Sequence, residues 1–382
     1  MNQIQRYVFR EVFAGTFLTL LILVFILTAG NAMRDKLLQF MEGQFSLQFI
    51  VELFSLLLPY AVKFALPPAL LTGILLGLGR LSADSEITAM RASGFGLLKI
   101  AMPIFGLSLI LAGICFYINS WAAPKARTDY KEKLARTAME NPLFFFQPGT
   151  FVTDFPGYIL YVGNFDGKNL HDFWVWSTIG KDEEPDAQGR ILQAMRFEKG
   201  TITPDLDTNT LILEPQNLQI EINDEDDPEN FQGYYRPGMA GNTILRFSLD
   251  KRGKDLKINR KPSMLSLEEL IKRRDRLANV KNITEAEKKQ LLETQMQLHS
   301  NASMACSVIA FAAIGIPLAI RTARRETMAN AALALGLALG YYVLSILLGL
   351  LKDHPSLRPD LLAWLPNLLF LSCGLLFLRK VR

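Results

Sequence analysis

Six stretches of this chain carry almost no charge over the length a bilayer demands. They fall into two groups of three, with a long polar region between them. They are Val12 to Met33, Leu53 to Gly79, Leu97 to Ile118, Ala302 to Ile320, Met328 to Leu351 and Leu361 to Leu378. A membrane-crossing helix needs about 20 mostly apolar residues, so each stretch is predicted to span. The second is punctuated by Pro59, Pro67 and Pro68 and contains one cation, Lys63. The first follows Arg6 and Arg10 as the apolar core of a signal peptide would. Its apolar run exceeds the usual core of about 7–15 residues, so it is read as a retained span.

The middle follows a different pattern. "YILYV", "FWVWST", "TLILE", "LQIEIN" and "ILRFSLD" are short, rich in β-branched and aromatic residues, and separated by Gly, Pro, Asn and Asp. Such runs predict strands. Between Pro148 and Lys261 they fit an all-β sandwich or jelly roll of roughly 110–120 residues. "YILYV" and "FWVW" are apolar on both faces. Protein covers both faces, or one face lines a groove for an apolar ligand; the pattern leaves both readings open. The acidic run Asn223 to Asn230 reads as a solvated loop. Two capping boxes follow, Ser266 to Glu269 and Thr284 to Glu287, each opening a helix. The second helix can run unbroken into the fourth apolar stretch.

Composition adds limits. Half of the 382 residues are hydrophobic, and they are concentrated at the two ends. The formal net charge of +4 is too small to argue for nucleic acid. Cys115, Cys306 and Cys373 all lie in apolar runs, so the polar middle has no disulfide framework. Lys and Arg in short loops decide orientation. Arg6, Arg10, Arg80, Arg91, Lys99, Arg321, Arg324, Arg325, Arg379, Lys380 and Arg382 share one side, which is therefore cytoplasmic. Arg34, Lys36, Lys352 and Arg358 share the other, together with the polar middle. The predicted fold is an integral membrane α-helical protein of six transmembrane helices. An all-β, jelly-roll-like domain, periplasmic in a cell with two membranes, is inserted between helices 3 and 4.

No Walker A, HExxH, GxSxG or CxxC pattern occurs, and His171, His299 and His354 show no metal-ligand spacing. No cofactor is expected. Three cations stand out. Lys63 lies about ten residues, or ~15 Å, into the second stretch, near the midplane. Either it faces a cavity and an anionic group, or the span starts later and Lys63 snorkels outward. Arg34 and Lys36 close the first stretch, as interfacial anchors or as captors of a phosphate headgroup. Between spans 2 and 3 sits "RLSADSEITAMRASGFG", Arg80 to Gly96. It predicts a short cytoplasmic helix with Ser82 or Asp84 as N-cap, Glu86 in the first turn and Gly94 at the stop. Ile87, Met90 and Gly94 share one face of it.

"LGRLSADSEITAMRASG" (Leu78 to Gly94), "GIPLAIRTARR" (Gly315 to Arg325) and "WLPNLLFL" (Trp364 to Leu371) resemble the YjgP/YjgQ permease family, LptF and LptG. The resemblance covers the whole chain. It implies a permease subunit of an ABC transporter that extracts lipopolysaccharide from the inner membrane. Hydrolysis would belong to a separate LptB-like ATPase dimer, and the other partners would be the paralogous permease and LptC- and LptA-like bridge proteins. In the family the helix after span 2 is the coupling helix, about 82–94 here, and its acidic residue matches Glu86. Asp84, Ser85, Ile87, Met90 and Arg91 are assigned to the same contact, and Arg34, Lys36 and Lys63 to the lipid headgroup. The domains read as 1–119 for helices 1–3, 120–300 for the β insertion with its linking helices, and 301–382 for helices 4–6. Two departures stand out: "QLHSN" before the fourth span, where many members have two more basic residues, and "RRETMAN" after it. The rivals are a mechanotransmission-type permease, which usually has four spans with the external domain after the first, and a membrane enzyme acting on envelope lipids.

Overall fold

The computed structural model describes residues 2–34, 47–140, 149–152, 158–166, 169–177, 193–205, 210–222, 245–248, 261–279, 284–321, 327–353 and 358–381. The helices are α1 (Gln3–Arg34), α2 (Leu47–Ala83), α3 (Glu86–Ala92), α4 (Leu97–Tyr117), α5 (Ala123–Glu140), α6 (Leu267–Ala278), α7 (Glu285–Arg321), α8 (Thr327–Gly349), α9 (Pro359–Leu362) and α10 (Leu365–Val381). A π-helical turn, Ile118–Ala122, joins α4 to α5. Among the described residues six helices are long and apolar enough to cross a membrane: Gln3–Ala32, Leu47–Ala83, Leu97–Lys133, Glu287–Arg321, Ala329–Gly349 and Pro359–Lys380. The strands, β1 (Thr150–Val152), β2 (Tyr158–Asp166), β3 (Asn169–Ser177), β4 (Gln193–Asp205), β5 (Thr210–Gln216), β6 (Gln219–Ile222) and β7 (Leu245–Ser248), lie between α5 and α6 in the chain. The fold class expected from the apolar pattern is the one observed.

Contacts divide the chain into two compact units, 1–130 with 260–382, and 131–259. In the helical unit the chain packs its apolar residues outward as well as inward. Phe13, Phe17, Leu21 and Phe25 of α1 and Leu335, Leu339, Val343 and Ile346 of α8 are exposed. In water such faces would be penalised; against lipid they are the expected surface.

Without a hydrophobic drive between helices, packing in lipid rests on small residues and on satisfied polar groups. Gly73 and Gly77 of α2 form a GxxxG face against α1. A methyl on Gly73 would stand 2.8 Å from the Thr16 Cα, and one on Gly77 3.3 Å from the Val12 Cα. Gly315 of α7 admits Leu71 and Ile74 of α2 in the same way.

The prolines of the spans do not end their helices. A proline removes its own N–H and frees the carbonyl four residues earlier. Pro68 frees Phe64, whose carbonyl oxygen accepts from the Tyr342 hydroxyl of α8 at 2.7 Å. Pro103 frees Lys99, whose carbonyl accepts from Gln5 Nε2 of α1 at 3.2 Å. With the Phe64 carbonyl paired, α2 runs for 37 residues, roughly 55 Å, well beyond the Leu53–Gly79 stretch read as its span. The third span likewise passes through the π turn into α5 rather than stopping at Ile118.

The motif Trp364 to Leu371 anchors α10. Asn367 Nδ2 donates to the Ser303 carbonyl at 2.7 Å and to Ser303 Oγ at 2.9 Å. Its Oδ1 accepts from the Tyr341 hydroxyl at 3.0 Å. Trp364 Nε1 donates to His299 Nδ1 at 3.2 Å. Asn301 of "QLHSN" is buried and accepts from Gln297 Nε2, so position 301 faces protein rather than a headgroup layer.

In the other unit the described strands form one antiparallel sheet in the order β1-β2-β3-β4-β5-β7, with β6 also paired to β4. One face holds Leu160, Val162, Phe173, Val175, Met195, Phe197 and Leu213, all buried. The other carries Tyr161, Trp174 and Trp176, with Phe151 at the edge. Its longest strand, β4 (Gln193–Asp205), is absent from the strands the sequence pattern picks out. The cause lies at Asp172 of β3, whose φ is +51°. That kink shifts the alternation, so Leu170 and Phe173 both point to the core, as do Phe197 and Gly200 opposite them. A strand whose buried side switches midway has no clean period of two.

Gly73→Val is expected to drive α1 off α2 and cost about 1–3 kcal/mol or more. Gly106 has open space around it, so Gly106→Ala should leave stability unchanged or slightly higher. Denaturation of the purified chain in mixed micelles compares the two.

Candidate functional site

The chain turns from α2 into α3 within two residues, Asp84 and Ser85. Neither Ser82 nor Asp84 is the N-cap of α3, as the sequence suggested. Helix α2 continues through Ala83, so Ser82 is helical, and its hydroxyl donates to the Ile320 carbonyl of α7 at 3.1 Å. The cap is Ser85, in the left-handed region at φ 61° and with no side-chain capping bond. The C-terminal stop at Gly94 forms as expected. Gly94 has φ +87°, its N–H donates to the Arg91 carbonyl, and the Phe95 N–H reaches back to Met90. This is a Schellman closure, and its usual apolar clasp is present: Met90 and Phe95 both pack on the helical core.

Ile87 is 2% exposed and wedges α3 onto the core. Asp84, Ser85, Thr88, Ala89 and Arg91 are exposed, and Glu86 is half-buried. The corner is held on several sides. Arg80 Nη2 lies 2.7 Å from Glu11 Oε2 of α1. The Tyr7 hydroxyl of α1 donates to Glu86 Oε1 at 3.4 Å. Gly79 admits Asn330 of α8, whose Nδ2 would stand 2.5 Å from an added methyl. An exposed ion pair contributes only about 0–1 kcal/mol, so Arg80–Glu11 locates the corner more than it stabilises it. Tyr7, Glu11 and Asn330 carry no signal in the sequence that ties them to the corner, because each arrives from another helix.

The second cluster surrounds Lys63. Measured along α2 from Arg80, Lys63 is 17 residues away, roughly 25 Å. Lys63 thus stands near the middle of α2, whose 37 residues run from Leu47 to Ala83. Its Nζ lies 5.5 Å from the Phe64 ring centroid. Phe64 meets Tyr60 edge-on at 5.1 Å, and the Arg127 guanidinium of α5 sits 5.0 Å above Tyr60. Two half-buried cations thus rest on one aromatic pair. Among the described residues neither has a carboxylate partner. Arg127 was missed because it reads as part of the polar run "KARTDYKEKLAR". Arg34 is the last residue of α1, and Lys36 lies outside the described residues. Among the described residues no group of His, Cys, Asp and Glu comes together as a metal site.

The family described as lipopolysaccharide export system permease LptF/LptG matches residues 6–380. The chain is 23% identical over 177 residues to the lipopolysaccharide export system permease protein LptG of Haemophilus influenzae, covering 46% of this chain and 49% of that one. It is 28% identical over 151 residues to LptG of Escherichia coli, covering 40% and 42%. Against LptF of Escherichia coli it is 28% identical over 174 residues, covering 44% and 46%. The match thus spans about half the length of these curated relatives. With its apolar helices, β insertion and family match over nearly its whole length, the chain is a multi-pass membrane protein that belongs to the LptF/LptG family of lipopolysaccharide export permeases.

Proposed function

We propose that the chain is the permease subunit of an ATP-driven exporter that lifts lipopolysaccharide out of the inner membrane and hands it to its own periplasmic β insertion. The observation that carries this reading is the α2–α3 corner. Its seven-residue helix is wedged on the core by Ile87 and bonded to α1, the end of α2 beside it packs on α7 and α8, and the corner presents Asp84, Ser85, Glu86 and Arg91. A force applied there reaches three other helices without first deforming a flexible loop. An LptB-like ATPase dimer would apply it, so ATP hydrolysis lies outside this chain. The paralogous permease would complete the cavity, and LptC- and LptA-like proteins would receive the lipid.

Lys63 and Arg127, with Arg34 and Lys36, would hold the phosphates of the headgroup. Lysine supplies a point charge and arginine a planar fork of donors. Two cations that have no carboxylate partner among the described residues have a strong electrostatic demand for an anion where solvent is scarce. The acyl chains need a different host. Exposing them to water costs ~0.8 kcal/mol per methylene, so transfer requires continuous apolar shielding. The aromatic second face of the sheet, with Tyr161, Trp174 and Trp176, supports an insertion suited to that task. On this reading 1–119 and 301–382 form the membrane part, and 120–300 is the periplasmic part with its linking helices.

Glu86→Lys should weaken ATPase association by about tenfold or more and uncouple hydrolysis from export. Reconstituted vesicles report both, and export at the wild-type rate would sink the role given to Glu86. The double change of Arg34 and Lys36 to Glu should lower photo-crosslinking of the lipid A region, and unchanged crosslinking would remove those two from the headgroup site. Lys63→Glu with Arg127→Glu should reduce retention of lipopolysaccharide during purification by about tenfold, read by mass spectrometry of bound lipid. A smaller loss in 0.5 M salt than in low salt would mark these contacts as screened surface charges instead.

A further inference from the structure

We infer that Tyr7 is a positioning residue for Glu86, holding its carboxylate ready for the cationic side chain of a docking ATPase. The inference rests on the coupling role proposed for α3 and adds a component from a different helix. Glu86 is the first residue of α3 and follows the left-handed Ser85, so its backbone direction is set by the turn. Its side chain is not, and an extended glutamate loses rotamer freedom when a partner captures it. The Tyr7 hydroxyl donates to Oε1 at 3.4 Å. Among the described residues Oε2 has no partner, which leaves one oxygen held and one available.

Tyr7 is itself well placed to hold. It lies one helical turn from Glu11 on the same face of α1, and Glu11 pairs with Arg80 at 2.7 Å. Gln5, just before it, is bonded across to the Lys99 carbonyl of α4 at 3.2 Å. The first turns of α1 therefore touch the chain just before α3, α3 itself and the helix after it. Tyr7 is 41% exposed, so a bound partner can reach the hydroxyl–carboxylate pair without unpacking the core. Holding a charged group in its bound orientation raises affinity by removing the ordering cost at the moment of contact.

The test uses the full chain, assembled with its paralogous permease in liposomes, and a separately purified LptB-type ATPase. Wild type, Tyr7→Phe, Glu86→Ala and the double variant are compared for ATPase association and for lipid released per ATP hydrolysed. The phenylalanine keeps the ring, and the melting temperature of each assembly reports folding. Tyr7→Phe should weaken association by about three- to tenfold, the range of one ordinary hydrogen bond, as suits a contact 3.4 Å long. The double variant should be no weaker than Glu86→Ala alone, because Tyr7 acts only through that carboxylate. Wild-type association by Tyr7→Phe overturns the inference. So does a double variant weaker than Glu86→Ala by the full Tyr7 factor, which is the signature of a structural role independent of Glu86. If Glu86→Ala itself associates as wild type does, the docking role of α3 fails, and the positioning role fails with it.

Discussion

A carbonyl that loses its helical partner inside a bilayer has no water to turn to, and the helical unit is organised around that constraint. The spans carry prolines, and each one frees an acceptor. Within α2 the Phe64 carbonyl finds Tyr342 of α8, and at the exposed end of α4 the Lys99 carbonyl finds Gln5 of α1. The first contact pairs an acceptor within α2, which runs as one rod from Leu47 to Ala83; together they tie α8 to α2 and α1 to α4. Because α2 is continuous, Lys63 and the α2–α3 corner belong to a single rigid element. A displacement at one is carried to the other along about five turns of helix.

The same constraint explains why the corner is built from small and polar residues. Gly73 and Gly77 let α1 approach backbone to backbone, which brings Tyr7 and Glu11 within reach of Glu86 and Arg80. Gly79 makes room for Asn330, and Ser82 fastens α2 to the last turn of α7. Most of the motif from Leu78 to Gly94 is thus committed to geometry. What remains exposed, Asp84, Ser85, Thr88 and Arg91, is a small charged surface beside a half-buried carboxylate. A surface of that kind suits recognition by a partner more than chemistry by the chain itself.

Much of this was legible in advance because it follows from local composition. The apolar runs announced the spans, and the boxes Ser266–Glu269 and Thr284–Glu287 formed with both reciprocal bonds. Ile87 was expected to pack, and Gly94 to stop α3. The errors have local causes too. The partner of the acceptor that Pro68 frees in α2 has no local signal, since it is a tyrosine 278 residues away in the chain. Ser82 was read as a cap, since its partner carbonyl lies on α7. Strand β4 was overlooked, because the kink at Asp172 lies in the neighbouring strand and moves the buried phase of both.

The sequence by itself determined how many helices can span, which segment is all-β, and which short stretch is a capped polar helix between two spans. Each of these depends on residues close together in the chain: twenty apolar side chains in a row, a period of two, a glycine after a turn of helix. Only the tertiary structure decided which residues stand together. It set Arg127 beside Lys63 over Tyr60 and Phe64, and it set Tyr7 against Glu86. The second pairing arises where α1 crosses α2 at Gly73 and Gly77, and the first where α5 comes back beside α2; the geometry of such an approach is not encoded in either helix alone.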